Sequence, residues 1–153
     1  MRKPVLVCVC GEQRCPGAAE TETTELRCKG LLECRAGLWR LLYEEDAPAG
    51  ERVRAELSFD GARVSLTRRG AVCSEMTFAA GETSCAFYEL STGSLTLTVE
   101  TDAVAAETSG DGGTLELRYR LTGGEETVSE HRLRFRVLPR GEASGGVVCG
   151  EFC

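Results

Sequence analysis

The chain is poor in the features that mark many enzymes and membrane proteins. Its 153 residues include a single histidine, and aromatic residues make up only 6%. No segment approaches the roughly 20 consecutive apolar residues that a membrane-spanning helix needs. The first apolar run, from Val5 to Cys10, is shorter than the core of about 7–15 residues in a secretory signal. We therefore expect a cytoplasmic protein with no membrane partner.

The balance of charge argues against a nucleic-acid partner. The net charge is −6, and an acidic protein repels phosphate backbones unless it concentrates its basic residues locally. Two segments near the end of the sequence do so on one predicted strand face. The arginines of that face are Arg118, Arg120, Arg132, Arg134 and Arg136. They have no interleaved aromatic residues for base stacking, and Glu116, Glu125 and Glu130 lie close in sequence. A solvated, cross-strand-paired face is therefore favoured over a docking surface.

Cysteine is abundant, with nine residues. Without an export signal we expect all nine to be thiols, several of them packed as small apolar side chains. Zinc sites usually use cysteine pairs two to four residues apart. Only Cys149 and Cys153 have that spacing. Cys8 and Cys10 are separated by a single residue, so on a strand their side chains share one face but do not form the usual zinc-binding turn. We predict no metal site and no cofactor.

Short apolar runs with a period of two alternate with turn signals every 8–12 residues, which is typical of an all-β sandwich or barrel. In residues 52–59, for example, Val53, Ala55, Leu57 and Phe59 share one face. The Asp60-Gly61 dipeptide that follows predicts a tight hairpin pairing Phe59 with Ala62 and Leu57 with Val64. We predict a single antiparallel barrel of about eight to ten strands over residues 1–138. Residues 139–153 would form a flexible cysteine-containing tail.

Catalysis has little support in the sequence. Val128 has the wrong parity to share a face with Leu133, so a bulge is expected between Ser129 and Arg132. His131 lies near this bulge and is interpreted as a surface strand residue. The acidic run of Glu44, Glu45 and Asp46 is interpreted as a solvated turn. We therefore predict a protein that is not an enzyme.

Several stretches together resemble a known family. They are KPVLVCVCGEQ near the start, YEE at residues 43–45, RVSLTRRGAVCSEMTF, the stretch from Tyr88 to Gly93 that leads into SLTLTV, DGGTLELRYRL and VSEHRLRFRV, in that order. This arrangement resembles the YwiB-like bacterial proteins over roughly residues 3–138. The resemblance implies a calycin-type, lipocalin-like β-barrel and no particular reaction.

The most informative single residue is Arg68. If the strand parity continues past the Asp60-Gly61 turn, Arg68, Ser74 and Met76 face inward while Arg69 faces solvent. Gly70 in this run predicts a bend or a close backbone approach. A buried guanidinium requires a partner. One interpretation is a small, partly apolar anion in the barrel lumen, held by Arg68 and surrounded by Ser74, Met76, Tyr43, Tyr88 and Tyr119.

Two alternatives remain for Arg68. One is an internal ion pair with Glu44, Glu45 or Glu89, and the other is an arginine that extends to solvent at a barrel mouth. The competing function is an interaction protein with a solid barrel, working through the arginine-rich outer face or the tail.

Overall fold

A computed structural model describes residues 2–17, 19–46, 52–70, 73–90, 92–123 and 126–140. These residues form ten antiparallel strands. The strands are β1 (Arg2–Arg14), β2 (Glu22–Arg35), β3 (Leu38–Asp46), β4 (Arg52–Phe59), β5 (Arg63–Gly70), β6 (Cys73–Ala79), β7 (Thr83–Leu90), β8 (Gly93–Ser109), β9 (Gly112–Gly123) and β10 (Glu126–Pro139). The described part of the chain contains no helix that could span a membrane.

Each strand pairs with its neighbours in sequence, and β10 pairs with β1 to close the sheet into a barrel. Closure pairs both edges of the sheet, so every described strand has a neighbouring strand on each side. The predicted all-β antiparallel barrel is confirmed. Its last strand includes Pro139, one residue beyond the predicted boundary, and most of the predicted tail (residues 141–153) lies outside the described residues.

Inward-facing side chains fill the barrel as the alternating pattern predicts. The largest fully buried side chains include Phe78, Phe135, Leu41, Leu57 and Leu117. The single tryptophan, Trp39, belongs to this core, and its indole N–H donates a hydrogen bond to the Ser109 carbonyl at 3.1 Å. This bond satisfies the polar group of a side chain that is otherwise buried in the hydrophobic core.

The β4–β5 hairpin has a different register from the predicted one. Phe59 pairs with Val64 and Leu57 with Leu66, so the turn is centred on Gly61 and Ala62 rather than on Asp60 and Gly61. Gly61 takes the positive φ of 103°. The Asp60 carboxylate accepts backbone hydrogen bonds from Ala62 and Arg63 across the turn. The register error is two residues, so every side chain keeps its predicted face.

Two irregularities shape the end of the barrel where the candidate site lies. Gly70 has φ 134°, and a Cβ there would lie 2.5 Å from the Arg52 carbonyl oxygen, which confirms the predicted close backbone approach. The register of β10 against β9 shifts between Thr127 and Ser129. The bulge is thus at Val128, slightly earlier than predicted, and Val128 is exposed.

Candidate functional site

The Arg68 mouth is the lumen end at which β3, β5, β7 and β9 finish. We define it by five inward residues: Tyr43, Glu45, Arg68, Ser74 and Tyr88. Strand register places them side by side, since Tyr43 pairs with Ala55, Ala55 with Arg68, Arg68 with Ser74, and Ser74 with Tyr88. Because adjacent strands present directly paired residues on the same face, the polar side chains of four strands (β3, β5, β6 and β7) converge here.

Arg68 forms an ion pair with Glu45. Its Nε lies 3.3 and 3.2 Å from Glu45 Oε1 and Oε2, and both side chains are 22% exposed. Burial alone would lower the pKa of the Arg68 guanidinium, but the carboxylate of Glu45 and further interactions raise it overall. Arg68 therefore stays charged, and of the sequence alternatives the internal ion pair is present. The interpretation of Glu45 as a solvated turn residue is wrong, because Glu45 faces the lumen opposite Arg68.

Glu45 uses one edge of the guanidinium only. Among the described residues, all hydrogen bonds from Arg68 leave through Nε. The two terminal nitrogens, which carry four N–H donors, make no hydrogen bond to those residues. The ion pair therefore fixes the orientation of the guanidinium while leaving its other edge able to bind a second acceptor.

Two hydroxyls of the mouth are buried without a hydrogen-bond partner among the described residues. They are Tyr43 Oη and Ser74 Oγ. Burial is the main cause that raises the pKa of Tyr43, and the nearby Glu45 charge adds to it, so the hydroxyl stays protonated. An orphaned buried hydroxyl typically costs about 1–3 kcal/mol. Such groups have a reason to persist where a ligand or ordered water completes them.

A cavity of about 540 Å³ opens next to Arg68 and Ser74. Arg68, Ser74 and Tyr88 line it, together with Phe87 and Leu95, which are each about half exposed. Volumes of about 300–1,000 Å³ are typical of small-molecule sites.

The six residues proposed from the sequence separate into two groups. Arg68, Ser74 and Tyr88 line the cavity, whereas Tyr43, Met76 and Tyr119 lie in the buried core cluster. Met76 touches the site indirectly, because its sulfur accepts a hydrogen bond from Tyr88 Oη at 3.3 Å. Burial raises the pKa of Tyr88 and that of Tyr119. Phe87 and Leu95 were missed, although the alternation of SLTLTV places Leu95 on the inward face.

His131 lies in the lumen, so its interpretation as a surface residue is wrong. The bulge at Val128 sets its parity, and its ring stacks on Tyr119 with centroids 4.9 Å apart. Its Nε2 lies 2.6 Å from the hydroxyl of Ser129. Burial lowers the pKa of His131. Ser129 is itself buried, whereas His131 lines two clefts of about 430 and 130 Å³.

The outer arginine face is largely neutralised by carboxylates. Arg120 binds Asp102 and Glu100, Arg132 binds Glu116, and Arg134 binds Glu12 at 3.4 Å. The predicted solvated, paired face is therefore present, with Glu116 as a predicted partner. Glu125 lies outside the described residues.

Two predictions about cysteine have different outcomes. Cys8 and Cys10 lie on the same, outward face of β1, as the sequence suggested. The expectation of nine thiols is wrong, because Cys8 and Cys10 are disulfide-bonded. Within the described ranges, histidines, cysteines and acidic residues form no group of three suited to a metal ion.

Comparison with known proteins places the chain in a family. The model of a domain of unknown function, DUF1934, matches residues 9–135. The chain belongs to the DUF1934 family. A solved structure, that of the ywiB protein from Bacillus subtilis, is similar to this DUF1934 protein with a TM-score of 0.81 and 21% sequence identity. The similarity covers 92% of this chain and 94% of that one.

The resemblance to the YwiB-like proteins is thereby confirmed, and at this identity the structural likeness shows the fold. No curated protein sequence matches this DUF1934 protein.

Proposed function

We propose that this barrel is a non-enzymatic cytoplasmic protein of the calycin type that binds a small, partly apolar anion at the Arg68 mouth. The observation that carries the proposal is the state of Arg68. Its guanidinium is held by Glu45 through Nε, its terminal nitrogens make no hydrogen bond to the described residues, and Arg68 lines a cavity of about 540 Å³. A side chain held in place by a neighbour loses little entropy when it binds a ligand.

The charges around the cavity favour a singly charged carboxylate. Besides Arg68, the lining includes Arg69 together with Glu75 and Glu89, and Glu45 lies behind the guanidinium. A dianion such as a phosphate monoester would meet three carboxylates against two arginines, so its second negative charge would add repulsion from the lining. A carboxylate matches the planar fork of one arginine in a bidentate arrangement.

The exposed apolar side chains supply the second half of the site. Phe87 and Leu95 are 51% and 50% exposed, and both line the cavity that contains Arg68. An alkyl or aryl group attached to the carboxylate would cover them. At about 25 cal/mol per Å² of apolar surface removed from water, such contact adds affinity without requiring further polar groups.

Native mass spectrometry of protein isolated untagged from its own host tests for a bound ligand directly. A second test titrates medium-chain carboxylates against the alcohols of equal length by calorimetry. We expect carboxylates to bind more tightly than alcohols, because only the anion uses both terminal nitrogens of Arg68.

The variants follow from the ion pair. Arg68→Met alone leaves the Glu45 charge unpartnered, so the informative variant is Arg68→Met combined with Glu45→Gln. It should lose the preference for carboxylate over alcohol, whereas Arg118→Met on the outer face should keep it. Equal affinity for the two ligand series in the unmodified protein, or an unchanged preference in the double variant, would refute the proposal.

A further inference from the structure

The second half of β8 has a free strand edge. β7 pairs with β8 as far as Glu100, and the backbone of Thr101 exchanges hydrogen bonds with the β6–β7 turn (residues 80–82). β8 then continues to Ser109, and among the described residues it pairs there with β9 only. We call residues 103–108 the free segment of β8.

The free segment presents unpaired backbone groups to solvent. Successive residues of a strand point their N–H and C=O groups to opposite sides. Every second residue of the segment therefore points them away from β9, where no backbone group of the described residues pairs with them. Proteins usually protect such an edge with lysine or proline. The segment contains neither, and Ala105, Ala106 and Glu107 are exposed, so the edge is accessible to another extended chain.

A groove of about 760 Å³ runs beside the free segment. It is bounded by that segment, the β4–β5 turn and the β6–β7 turn, and we call it the β8 groove. The apolar residues that line it are Phe59, Ala62, Ala79, Ala80, Val104 and Ala106. Most of these side chains are alanine, so a second backbone can come close to the wall. β5 and β7 begin at this end of the barrel and finish at the Arg68 mouth, so the two sites lie at opposite ends.

The charged residues around the β8 groove favour a basic partner. Asp60, Arg63 and Glu82 line it, and Arg63 is paired with Glu82 at 3.2 Å. Backbone N–H groups of the β4–β5 turn lower the pKa of Asp60, so this carboxylate is charged at neutral pH. Glu107 adds an exposed carboxylate on the free segment. A second copy of the chain would bring the same carboxylates together across a two-fold axis, where like charges repel, so a different protein is the better occupant.

We propose that the free segment of β8 and the β8 groove together bind an extended peptide segment of another protein, which joins the barrel wall as an added strand. The bound segment has apolar side chains at every second position and basic residues at its ends. In recognition of this kind, main-chain hydrogen bonds supply affinity, and pockets for alternate side chains supply specificity.

Strand register shows which side chains of the peptide meet the groove. Val104 and Ala106 pair with core residues of β9, so they face inward, and the inward side chains of the peptide meet the apolar lining. Glu107 lies on the outer face of the same segment. A lysine opposite Glu107 would form a cross-strand ion pair. The six residues of the segment span about 20 Å, enough for about three of them to bond with the peptide backbone.

Fluorescence anisotropy with labelled synthetic peptides tests binding to the full chain. Four seven-residue probes carry lysine at both ends and, between them, alternate threonine with alanine, valine, leucine or phenylalanine. We expect at least one probe to bind. Its fully N-methylated form keeps the side chains but has no backbone N–H, so it should bind about tenfold or more weakly. No binding by any probe at up to about 1 mM, or equal binding of the N-methylated form, would overturn the proposal.

Two variants of the free segment test the location. Ala106→Gln places a polar side chain in the apolar groove, whereas Ala105→Gln places the same side chain on the outer face, where it lines no part of the groove. We expect Ala106→Gln to weaken binding about tenfold and Ala105→Gln to leave it unchanged. Thermal unfolding verifies that both variants are folded. Equal effects of the two substitutions would show that the probe binds elsewhere.

Hydrogen exchange followed by NMR tests the strand pairing itself. In the free protein, the amides of the free segment that point away from β9 should exchange rapidly, while those bonded to β9 exchange slowly and serve as the internal reference. A saturating probe should slow the first set. Unchanged exchange with the probe bound would show contact without strand addition and would contradict the proposal. So would amides that are already protected in the free protein and lose protection on dilution, because that result assigns the edge to a second copy of the chain.

Discussion

The Arg68–Glu45 pair should contribute measurably to stability, which a double-mutant cycle can test. Breaking a fully buried ion pair by removing one partner costs about 3–5 kcal/mol, whereas an exposed pair is worth about 0.2–1 kcal/mol. Each side chain here is 22% exposed, so this pair lies between those limits. We expect Arg68→Met or Glu45→Gln alone to cost about 1–3 kcal/mol, with a coupling energy of about 1–2 kcal/mol.

Urea unfolding followed by tryptophan fluorescence is the appropriate assay. Trp39 is the only tryptophan, is 4% exposed, and belongs to the hydrophobic core. For a chain of this size, 2 kcal/mol corresponds to a shift of about 4–8 °C in Tm, so thermal unfolding provides an independent value. A coupling energy below about 0.5 kcal/mol would place the pair among solvated surface pairs. It would refute the argument that Glu45 holds Arg68 in a binding orientation.

Three further outcomes follow from the structure. Gly70→Ala should destabilise the barrel by about 2–4 kcal/mol in urea unfolding, because φ is 134° and the new Cβ would meet the Arg52 carbonyl. Gly110→Ala is the control, since nothing lies within 4 Å of a Cβ at that position. Equal losses of stability in the two variants would contradict the predicted steric clash at Gly70. Ser74→Ala removes a buried hydroxyl that has no hydrogen-bond partner among the described residues. It should leave the free energy of unfolding unchanged or raise it by up to about 1 kcal/mol, and it should weaken carboxylate binding. A clear loss of stability would show that the hydroxyl has a partner. Burial lowers the pKa of His131, so as pH falls below about 6.5 the unfolded chain binds a proton before the folded protein does, and the folded state loses stability. His131→Phe should therefore reduce the slope of the unfolding free energy against pH between about 6.5 and 5. An unchanged slope would show that His131 is not the residue responsible.

Part of the candidate site could be predicted from the alternation of apolar and polar residues along the strands. Alternation placed Arg68 and Ser74 on the inward face, and the two-residue error in the β4–β5 register did not change this, because faces repeat every two residues. Gly70 was identified as a close approach because only glycine lacks the Cβ that would collide. The alternation did not identify the ion-pair partner of Arg68. The sequence offered three glutamates, and strand pairing brought Glu45 opposite it.

The inward orientation of His131 could not be predicted from the sequence, because it depends on where the bulge in β10 lies. A bulge changes the parity of every residue on one side of it, and moving it to Val128 turned a predicted surface residue into a lumen residue stacked on Tyr119. The position of a bulge depends on how β9 and β10 fit together across the sheet, not on the residues of one strand.

The amino-acid sequence by itself determined the all-β class, the approximate position of the β4–β5 turn and the inward face of strands such as β4 and β5, because these depend on a two-residue period and on local turn chemistry. Only the tertiary structure decided that ten strands close into one barrel, that Glu45 meets Arg68, and that the Ser74 hydroxyl lies beside a cavity without a hydrogen-bond partner among the described residues. Each of these depends on residues far apart in the chain. Their distances are fixed by strand register and barrel closure, which no single segment encodes.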